Sequence, residues 1–193
     1  NSDATGTLIN NLGFTNIDIN DAASDGFRAY ASAGGDLTNV AISAMDITNS
    51  GENGIYLQST TSGSILSGLS LTDVAVSGSA ATGVYIQAST IGALSVDLQD
   101  VTSTANYDYG VYVDDDSTAA VTVDFGGGTL SSTGGNRIFN NYLQEVRLDY
   151  DGAVMSAQNN WWGSSLGLLA AESTLEVSST INTAGFLTVD PDL

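Results

Sequence analysis

The sequence NGIYLQS at residues 53–59 recurs as TGVYIQA at 82–88 and as YGVYVDD at 109–115. Each copy has a turn of small residues followed by apolar, aromatic, apolar and polar residues. A weaker copy, DGFRAYA at 25–31, precedes these three, and a degenerate copy, NRIFNNY at 136–142, follows them. Successive copies lie 27 to 29 residues apart. A fixed period of this length is typical of stacked repeat architecture.

A second repeated block alternates with the first. It reads LGFTNIDI at 12–19, VAISAMDI at 40–47, LSLTDVAV at 69–76 and VDLQDVTS at 96–103. Aligning the blocks gives four apolar columns, which contain Leu12, Val40, Leu69, Val96 and Val123; Phe14, Ile42, Leu71, Leu98 and Phe125; Ile17, Met45, Val74 and Val101; and Ile19, Ile47 and Val76. Alternation of period two indicates strands with one buried face, and the skipped position inside each block indicates a bend.

No single repeat can bury its own apolar face, so the repeats must stack and pair their equivalent strands. The sequence therefore predicts an all-β fold, a single-stranded right-handed parallel β-helix of about six to seven coils with ~28 residues per coil. We expect one domain over 1–193, with regular coils at about 9–160 and a C-terminal capping segment at about 161–193. A β-sandwich is the alternative, but its strands need not repeat in column register.

Composition narrows the range of partners. The chain has 22 acidic residues against three arginines and a formal net charge of −19. This charge argues against nucleic acid and anionic membrane, which both require a basic surface. Cysteine is absent, which excludes disulfides and thiolate metal sites. No apolar run approaches the ~20 residues of a membrane span. We expect an excised or mature part of a longer protein that is secreted or at the cell surface.

The C-terminal part of the sequence contains AQNNWWGSS at 157–165 and FLTVDPDL at 186–193. It resembles the terminal region of right-handed parallel β-helix repeat proteins of the pectate-lyase-like superfamily, which includes NosD-type and bacterial surface β-helix domains. In these proteins an Asn-x-Trp-Gly phrase commonly closes the last regular coil. We expect one ring of the pair Trp161 and Trp162 to pack inward and the other to cover an edge. The resemblance implies a fold rather than a reaction, because this fold carries many functions.

The alternation places Tyr56, Tyr85 and Tyr112 on the outer face in one column. We expect Arg28 to begin this column and Phe139 to continue it. The polar residues expected beside it are Tyr30, Gln58, Gln87, Asp114 and Asn141. Three interpretations stay open. The rings stabilise the sheet by stacking on each other, or they bind a glycan, or they dock a protein.

The residues Asp114, Asp115 and Asp116 form a dense acidic cluster. Three adjacent carboxylates suit calcium, a hard cation that prefers oxygen ligands. The alternative is a solvated turn, because no spaced calcium loop of a known type is present. The sequence predicts no other cofactor. Paired carboxylates also hydrolyse glycosides, but the His-Gly and Arg-x-Lys phrases of polygalacturonase-like β-helices are missing here. A lyase needs a basic residue to abstract a proton, and the chain has no lysine or histidine.

These observations predict a non-enzymatic structural or adhesive β-helix module, with glycan binding or self-assembly as its activity. The expected partner is a polysaccharide, a surface protein or further copies of the chain, without nucleic acid or membrane insertion. The alternative is a polysaccharide-active enzyme, either a lyase or a glycoside hydrolase, or its carbohydrate-binding portion.

Overall fold

A computed structural model describes residues 6–61, 63–88, 93–115, 120–149, 154–175 and 180–190. The chain forms a parallel β-solenoid of about five turns with ~28 residues per turn. The predicted fold class is therefore confirmed, with about five turns in place of six to seven. One turn is 35 residues long, from Tyr112 to its register partner Arg147, against 27 to 29 for the preceding turns, so fewer turns fit the chain.

Within the described residues, fourteen strands make up two parallel sheets. In chain order they are β1 Leu8–Asn20, β2 Phe27–Ala31, β3 Asp36–Thr48, β4 Ile55–Ser59, β5 Ile65–Ser77, β6 Val84–Ala88, β7 Ala93–Thr104, β8 Tyr109–Asp115, β9 Ala120–Asp124, β10 Arg137–Phe139, β11 Gln144–Asp149, β12 Val154–Ser156, β13 Ser173–Leu175 and β14 Thr180–Asn182. A short 3-10 helix at Ala170–Glu172 precedes β13. No helix in the described part of the chain is long and apolar enough to span a membrane.

The first sheet, which we call the short-strand sheet, has the order β13-β11-β8-β6-β4-β2. The second, the long-strand sheet, has the order β1-β3-β5-β7-β9-β12-β14, and β10 also pairs with β7. Each regular turn contributes one strand to each sheet. The apolar residues of both sheets point between them and form a single core.

The register of the long strands confirms the predicted apolar columns. Phe14 pairs with Ile42, and Ile42 pairs with Leu71. From β3 onward the residues of all four columns are at most 5% exposed, whereas Leu12 in β1 is 37% exposed. The skipped position is a bend at which the backbone is left-handed, with φ of 48–62° at Asn16, Ala44, Asp73 and Asp100. Asn and Asp tolerate this conformation better than most residues.

One turn of the solenoid is lengthened between β9 and β10, over residues 125–136. At its start the carboxylate of Asp124, which is 1% exposed, accepts hydrogen bonds from the backbone N–H groups of Gly126 at 2.9 Å, Gly128 at 3.0 Å and Leu130 at 2.9 Å. Gly126 has a φ of 142°, which L residues rarely adopt. The loop is therefore organised around a buried carboxylate.

The C-terminal end contains the two adjacent tryptophans. Trp162 is fully buried and is the largest fully buried side chain of the described core, whereas Trp161 is half-buried. The backbone of Trp161 forms an isolated parallel bridge with Arg137. One ring therefore packs inward and the other lies closer to solvent, as the sequence predicted.

Candidate functional site

The predicted tyrosine column lies on the outer face of the short-strand sheet. Tyr56, Tyr85 and Tyr112 pair in register on β4, β6 and β8. Their rings are stacked, with centroid separations of 4.9 and 4.8 Å and interplanar angles of 3° and 8°. We call these three residues the tyrosine ladder. The spacing matches the distance between neighbouring strands, so the sheet itself sets the stacking.

An arginine covers each end of the tyrosine ladder. The guanidinium carbon of Arg28 lies 4.7 Å from the ring centroid of Tyr56, and that of Arg147 lies 4.8 Å from the centroid of Tyr112. Both arginines are register partners of the tyrosine that they cover. The stack thus has five rungs, two of them cationic.

The prediction that Phe139 continues the column is wrong. Phe139 lies on β10 in the long-strand sheet, where it pairs with Thr104, and Arg147 occupies the expected rung. The cause is the lengthened turn at 125–136. It places Arg147 35 residues after Tyr112, whereas the preceding rungs are 27 to 29 residues apart. The phrase at 136–142 is therefore not a further copy of the repeat.

A polar column runs beside the tyrosine ladder. Its members, in register order, are Tyr30, Gln58, Gln87, Asp114 and Asp149. Four of these were predicted, but Asn141 was expected where Asp149 lies. Asn141 instead lies in a turn and donates from Nδ2 to Oε2 of Glu145 at 2.5 Å.

Each hydroxyl of the tyrosine ladder donates a hydrogen bond to the polar column one turn further along. The acceptors are Oε1 of Gln87 for Tyr56 at 2.5 Å, Oδ2 of Asp114 for Tyr85 at 2.7 Å and Oδ2 of Asp149 for Tyr112 at 2.7 Å. The arginines bind the same column. Arg28 donates to Oε1 of Gln58 at 2.8 Å, and Arg147 forms an ion pair with Asp149.

The environment keeps the ladder hydroxyls protonated. Burial raises the pKa of Tyr56 to about 12, with Arg28 acting in the opposite direction. Burial also raises the pKa of Tyr85 and of Tyr112, and the hydrogen bonds to Asp114 and Asp149 raise them further. Since the rings cover each other and every hydroxyl is engaged, the geometry favours the first of the three interpretations, stabilisation of the sheet.

Of the acidic cluster, the structure describes the side chain of Asp114 only. Asp114 is 9% exposed and accepts from the Tyr85 hydroxyl and, at 3.0 Å, from Nε2 of Gln87. The side chain of Asp115 and the whole of Asp116 lie outside the described residues. Over the part that is described, no group of three His, Cys, Asp or Glu residues is arranged to hold a metal. Calcium binding by the cluster stays a prediction.

A second pair of stacked tyrosines was missed by the sequence analysis. Tyr107 and Tyr142 have ring centroids 5.2 Å apart and an interplanar angle of 10°, and they are 61% and 72% exposed. We call them the corner tyrosines, because they lie in the turns that lead from the long-strand to the short-strand sheet. Among the described residues neither hydroxyl has a hydrogen-bond partner.

The corner tyrosines occupy equivalent positions on successive turns. The backbone N–H of Tyr142 donates to the carbonyl of Asn106, and that of Tyr107 donates to the carbonyl of Ser79, both at 2.9 Å. One turn earlier, the N–H of Ala80 makes the same bond to Ser50 at 2.8 Å. A small residue therefore occupies the rung below Tyr107.

A depression of about 430 Å³ lies beside the corner tyrosines. Its lining residues are Gly78, Ser79, Ala80, Ala105, Asn106, Tyr107, Asn140 and Tyr142. One face of the Tyr107 ring stacks on Tyr142. Gly78 and Ala80, which carry little or no side chain, lie one turn before Tyr107, on the side away from Tyr142. The structure thus contains an aromatic surface beside a floor of small residues.

A sequence signal for the corner tyrosines was present. The dipeptide Asn-Tyr occurs at 106–107 and again at 141–142. The structure explains both asparagines, since Oδ1 of Asn141 accepts from the backbone N–H and from Nδ2 of Asn106 at 3.1 and 2.9 Å. The lengthened turn concealed the repeat by setting these copies 35 residues apart.

The charges of the described surface are arranged unequally. All three arginines have internal partners, because Arg28 and Arg147 cover the tyrosine ladder and Arg137 donates two hydrogen bonds of 2.8 Å to Asp190. Four exposed carboxylates lie on successive turns of the long-strand sheet, at Asp18, Asp46, Asp73 and Asp100. Asp18 pairs with Asp46, whereas Asp73 and Asp100 lie at the bend, two residues before the register partners of Asp46. We call these four the aspartate row. None of the four pairs with an arginine among the described residues.

Comparison with known proteins gives a weak likeness to solved structures. No family model matches the chain, and no curated protein matches it. Among solved structures, QnrB1, a plasmid-mediated fluoroquinolone resistance protein, is similar at 12% identity, with 89% of this chain and 91% of that chain covered and a TM-score of 0.17. The assignment of a parallel β-solenoid rests on the sheet topology and register of the chain itself.

The expected function is corrected by the same comparison. A structural or adhesive module with a glycan-related role was predicted, with a polysaccharide-active enzyme as the alternative. The prediction is contradicted, because the similar structure is a fluoroquinolone resistance protein and is not glycan-related. The tyrosine ladder agrees with this correction, since its ring faces are covered by each other and by arginine. The secreted location stays a prediction.

Proposed function

We propose that this chain is a recognition module that binds a positively charged partner protein. One observation carries the proposal. Every arginine has a side-chain partner within the chain, while the aspartate row and other carboxylates are exposed. The electrostatic potential of the described surface is therefore negative, which attracts cationic partners and repels acidic ones.

The regular geometry supports this proposal. The aspartate row places one carboxylate on each of four turns, and turns are ~4.8 Å apart, so the row extends over about 14 Å. An extended basic segment advances ~3.3 Å per residue. Side chains of such a segment would reach the row along its whole length, with several contacts acting together.

A finer relationship to the pectate-lyase-like superfamily remains a proposal as well. Support comes from the Asn-x-Trp-Gly phrase. Asn160 is fully buried and accepts from the backbone N–H of Asn136 at 2.9 Å. Gly163 has a φ of 75°, and a Cβ there would lie 2.9 Å from Cβ of Phe139. The phrase thus has a structural role at the end of the regular turns.

The proposal is tested with defined peptides. Fluorescein-labelled heptaarginine, heptalysine and heptaglutamine are titrated with the chain, and binding is followed by fluorescence anisotropy. The two basic peptides should bind, and their affinity should fall as the salt concentration rises from about 0.05 M to about 0.5 M, because salt screens exposed charges. Absence of binding at low salt, or equal binding of heptaglutamine, would overturn the proposal.

A matched pair of variants separates the aspartate row from total charge. The double substitution Asp46→Asn with Asp73→Asn removes two charges from the row, and Asn tolerates the left-handed backbone at Asp73. The control Asp36→Asn with Glu52→Gln removes two charges elsewhere. The row variant should weaken peptide binding more than the control does. Equal weakening would show that only the net charge matters.

A further inference from the structure

The tyrosine ladder shows how this chain closes the ends of a tyrosine stack. Arg28 and Arg147 each lie over a terminal ring, with 4.7 and 4.8 Å between guanidinium carbon and ring centroid. These distances are one strand spacing, so each guanidinium takes the place of a further ring. Both contacts are of the cation–π type.

The corner tyrosines form a second stack whose end lacks such a group. The three arginines of the chain all lie elsewhere. Below Tyr107 the next rung is Ala80, and Gly78 lies beside it. The space that a guanidinium would fill is part of the depression of about 430 Å³.

We propose that this depression receives an arginine side chain of the partner protein, stacked on the open face of Tyr107. The inference rests on the proposed function, and it names the group that is recognised. Arginine is favoured over lysine because its planar guanidinium stacks on an aromatic face and is less strongly hydrated. A cation is favoured over a neutral ring because the chain carries a net charge of −19.

The surroundings provide acceptors as well as a ring. Asn140 and Asn106 line the depression, and side-chain amides supply carbonyl oxygens for guanidinium N–H groups. The Oδ1 of Asn106 already accepts from the backbone N–H of Ser79 at 3.1 Å.

The experiment compares heptaarginine with heptalysine on the chain and on variants of Tyr107. Wild type should bind heptaarginine more tightly than heptalysine. Tyr107→Leu should weaken heptaarginine binding about 2- to 30-fold, the range expected from losing one cation–π contact, and should reduce the preference for arginine. Tyr107→Phe keeps the ring and should retain both the affinity for heptaarginine and the preference for arginine over lysine.

A second variant tests the space rather than the ring. Ala80→Leu places a larger side chain on the floor of the depression and should weaken heptaarginine binding with Tyr107 intact. Circular dichroism and thermal unfolding should be unchanged in all variants, because both positions are exposed.

The outcomes distinguish the two proposals. If neither basic peptide binds wild type, the proposed function fails and this inference fails with it. If both peptides bind and the aspartate row variant weakens them, but Tyr107→Leu and Ala80→Leu bind heptaarginine like wild type, the proposed function survives and the arginine site is overturned. Equal affinity of wild type for the two basic peptides would also overturn it.

Discussion

The guanidinium of Arg147 lies over the ring of Tyr112 and closes a stack that Arg28 begins four rungs earlier. Two of the three basic side chains of a very acidic protein are thus held on the sheet by rings and by the polar column. Their charge is used for stability. Arg137 is paired with Asp190, so the exposed charged side chains without a side-chain partner in the described part of the chain are acidic.

The hydroxyl of Tyr85 should contribute to stability through its bond to Asp114. Tyr85→Phe removes a donor from a carboxylate that is 9% exposed, so we expect a loss of about 1–2 kcal/mol in the free energy of unfolding. Tyr107→Phe is the control, because its hydroxyl has no partner among the described residues. Urea unfolding measures the free energy of unfolding of both variants. A loss of similar size in the control would show that the hydrogen bond is not the cause.

The guanidinium of Arg147 should not be replaceable by the ammonium group of lysine. Its Nη1 donates to the Tyr109 hydroxyl at 2.8 Å, and its ion pair and cation–π contacts use the planar guanidinium. Arg147→Lys should therefore lower the free energy of unfolding by about 1–2 kcal/mol. Arg28→Lys should cost less, since Arg28 is exposed and its acceptor on Gln58 is neutral. Urea unfolding measures both variants. Equal losses in the free energy of unfolding would contradict the different roles given to Arg28 and Arg147 at the two ends of the tyrosine ladder.

The core of the fold could be predicted from the sequence because burial follows a local rule. Alternation of period two decides which side of a strand faces inward, so columns such as Ile17, Met45, Val74 and Val101 are visible without any structure. The same rule placed Tyr56, Tyr85 and Tyr112 correctly. It depends only on neighbours in sequence and on a constant turn length.

The rule failed where the turn length changes. Phe139 and Asn141 were assigned by counting one more period, but the loop at 125–136 adds residues and Arg147 and Asp149 take those rungs. The corner tyrosines were missed for the same reason, because the lengthened turn sets the two Asn-Tyr copies 35 residues apart, outside the 27- to 29-residue period.

The lengthened turn should depend on the carboxylate of Asp124. It accepts four backbone N–H bonds, of which the longest, from Ser132, is 3.4 Å. Asp124→Asn replaces one accepting oxygen by a donor that faces these N–H groups, so we expect a loss of about 2–4 kcal/mol in the free energy of unfolding. Hydrogen exchange of residues 126–132 should accelerate in the variant. Unchanged exchange would show that the loop is held by other contacts.

Substitution of Asp97, the register partner of Asp124, should raise the free energy of unfolding rather than lower it. Asp97 pairs with Asp124 across β7 and β9, and its Oδ1 is buried without a hydrogen-bond partner in the described structure. Burial raises the pKa of Asp97, and the charge of Asp124 raises it further. An acid whose pKa is raised on folding loses stability as the pH rises through the folded pKa, because the ionised form is disfavoured in the native state.

Asp97→Asn should therefore stabilise the protein at pH 7, by less than about 1 kcal/mol because the group is partly exposed and screened. An amide at this position could also donate to Asp124, its register partner. The advantage should disappear below the ordinary pKa of aspartate, ~3.9, where the wild-type carboxyl is protonated in both states. Urea unfolding at pH 7 and pH 3 measures this difference, with Asp36→Asn as the control. A variant less stable than wild type at pH 7, or equally stabilised at both pH values, would show that the charge of Asp97 does not destabilise the native state.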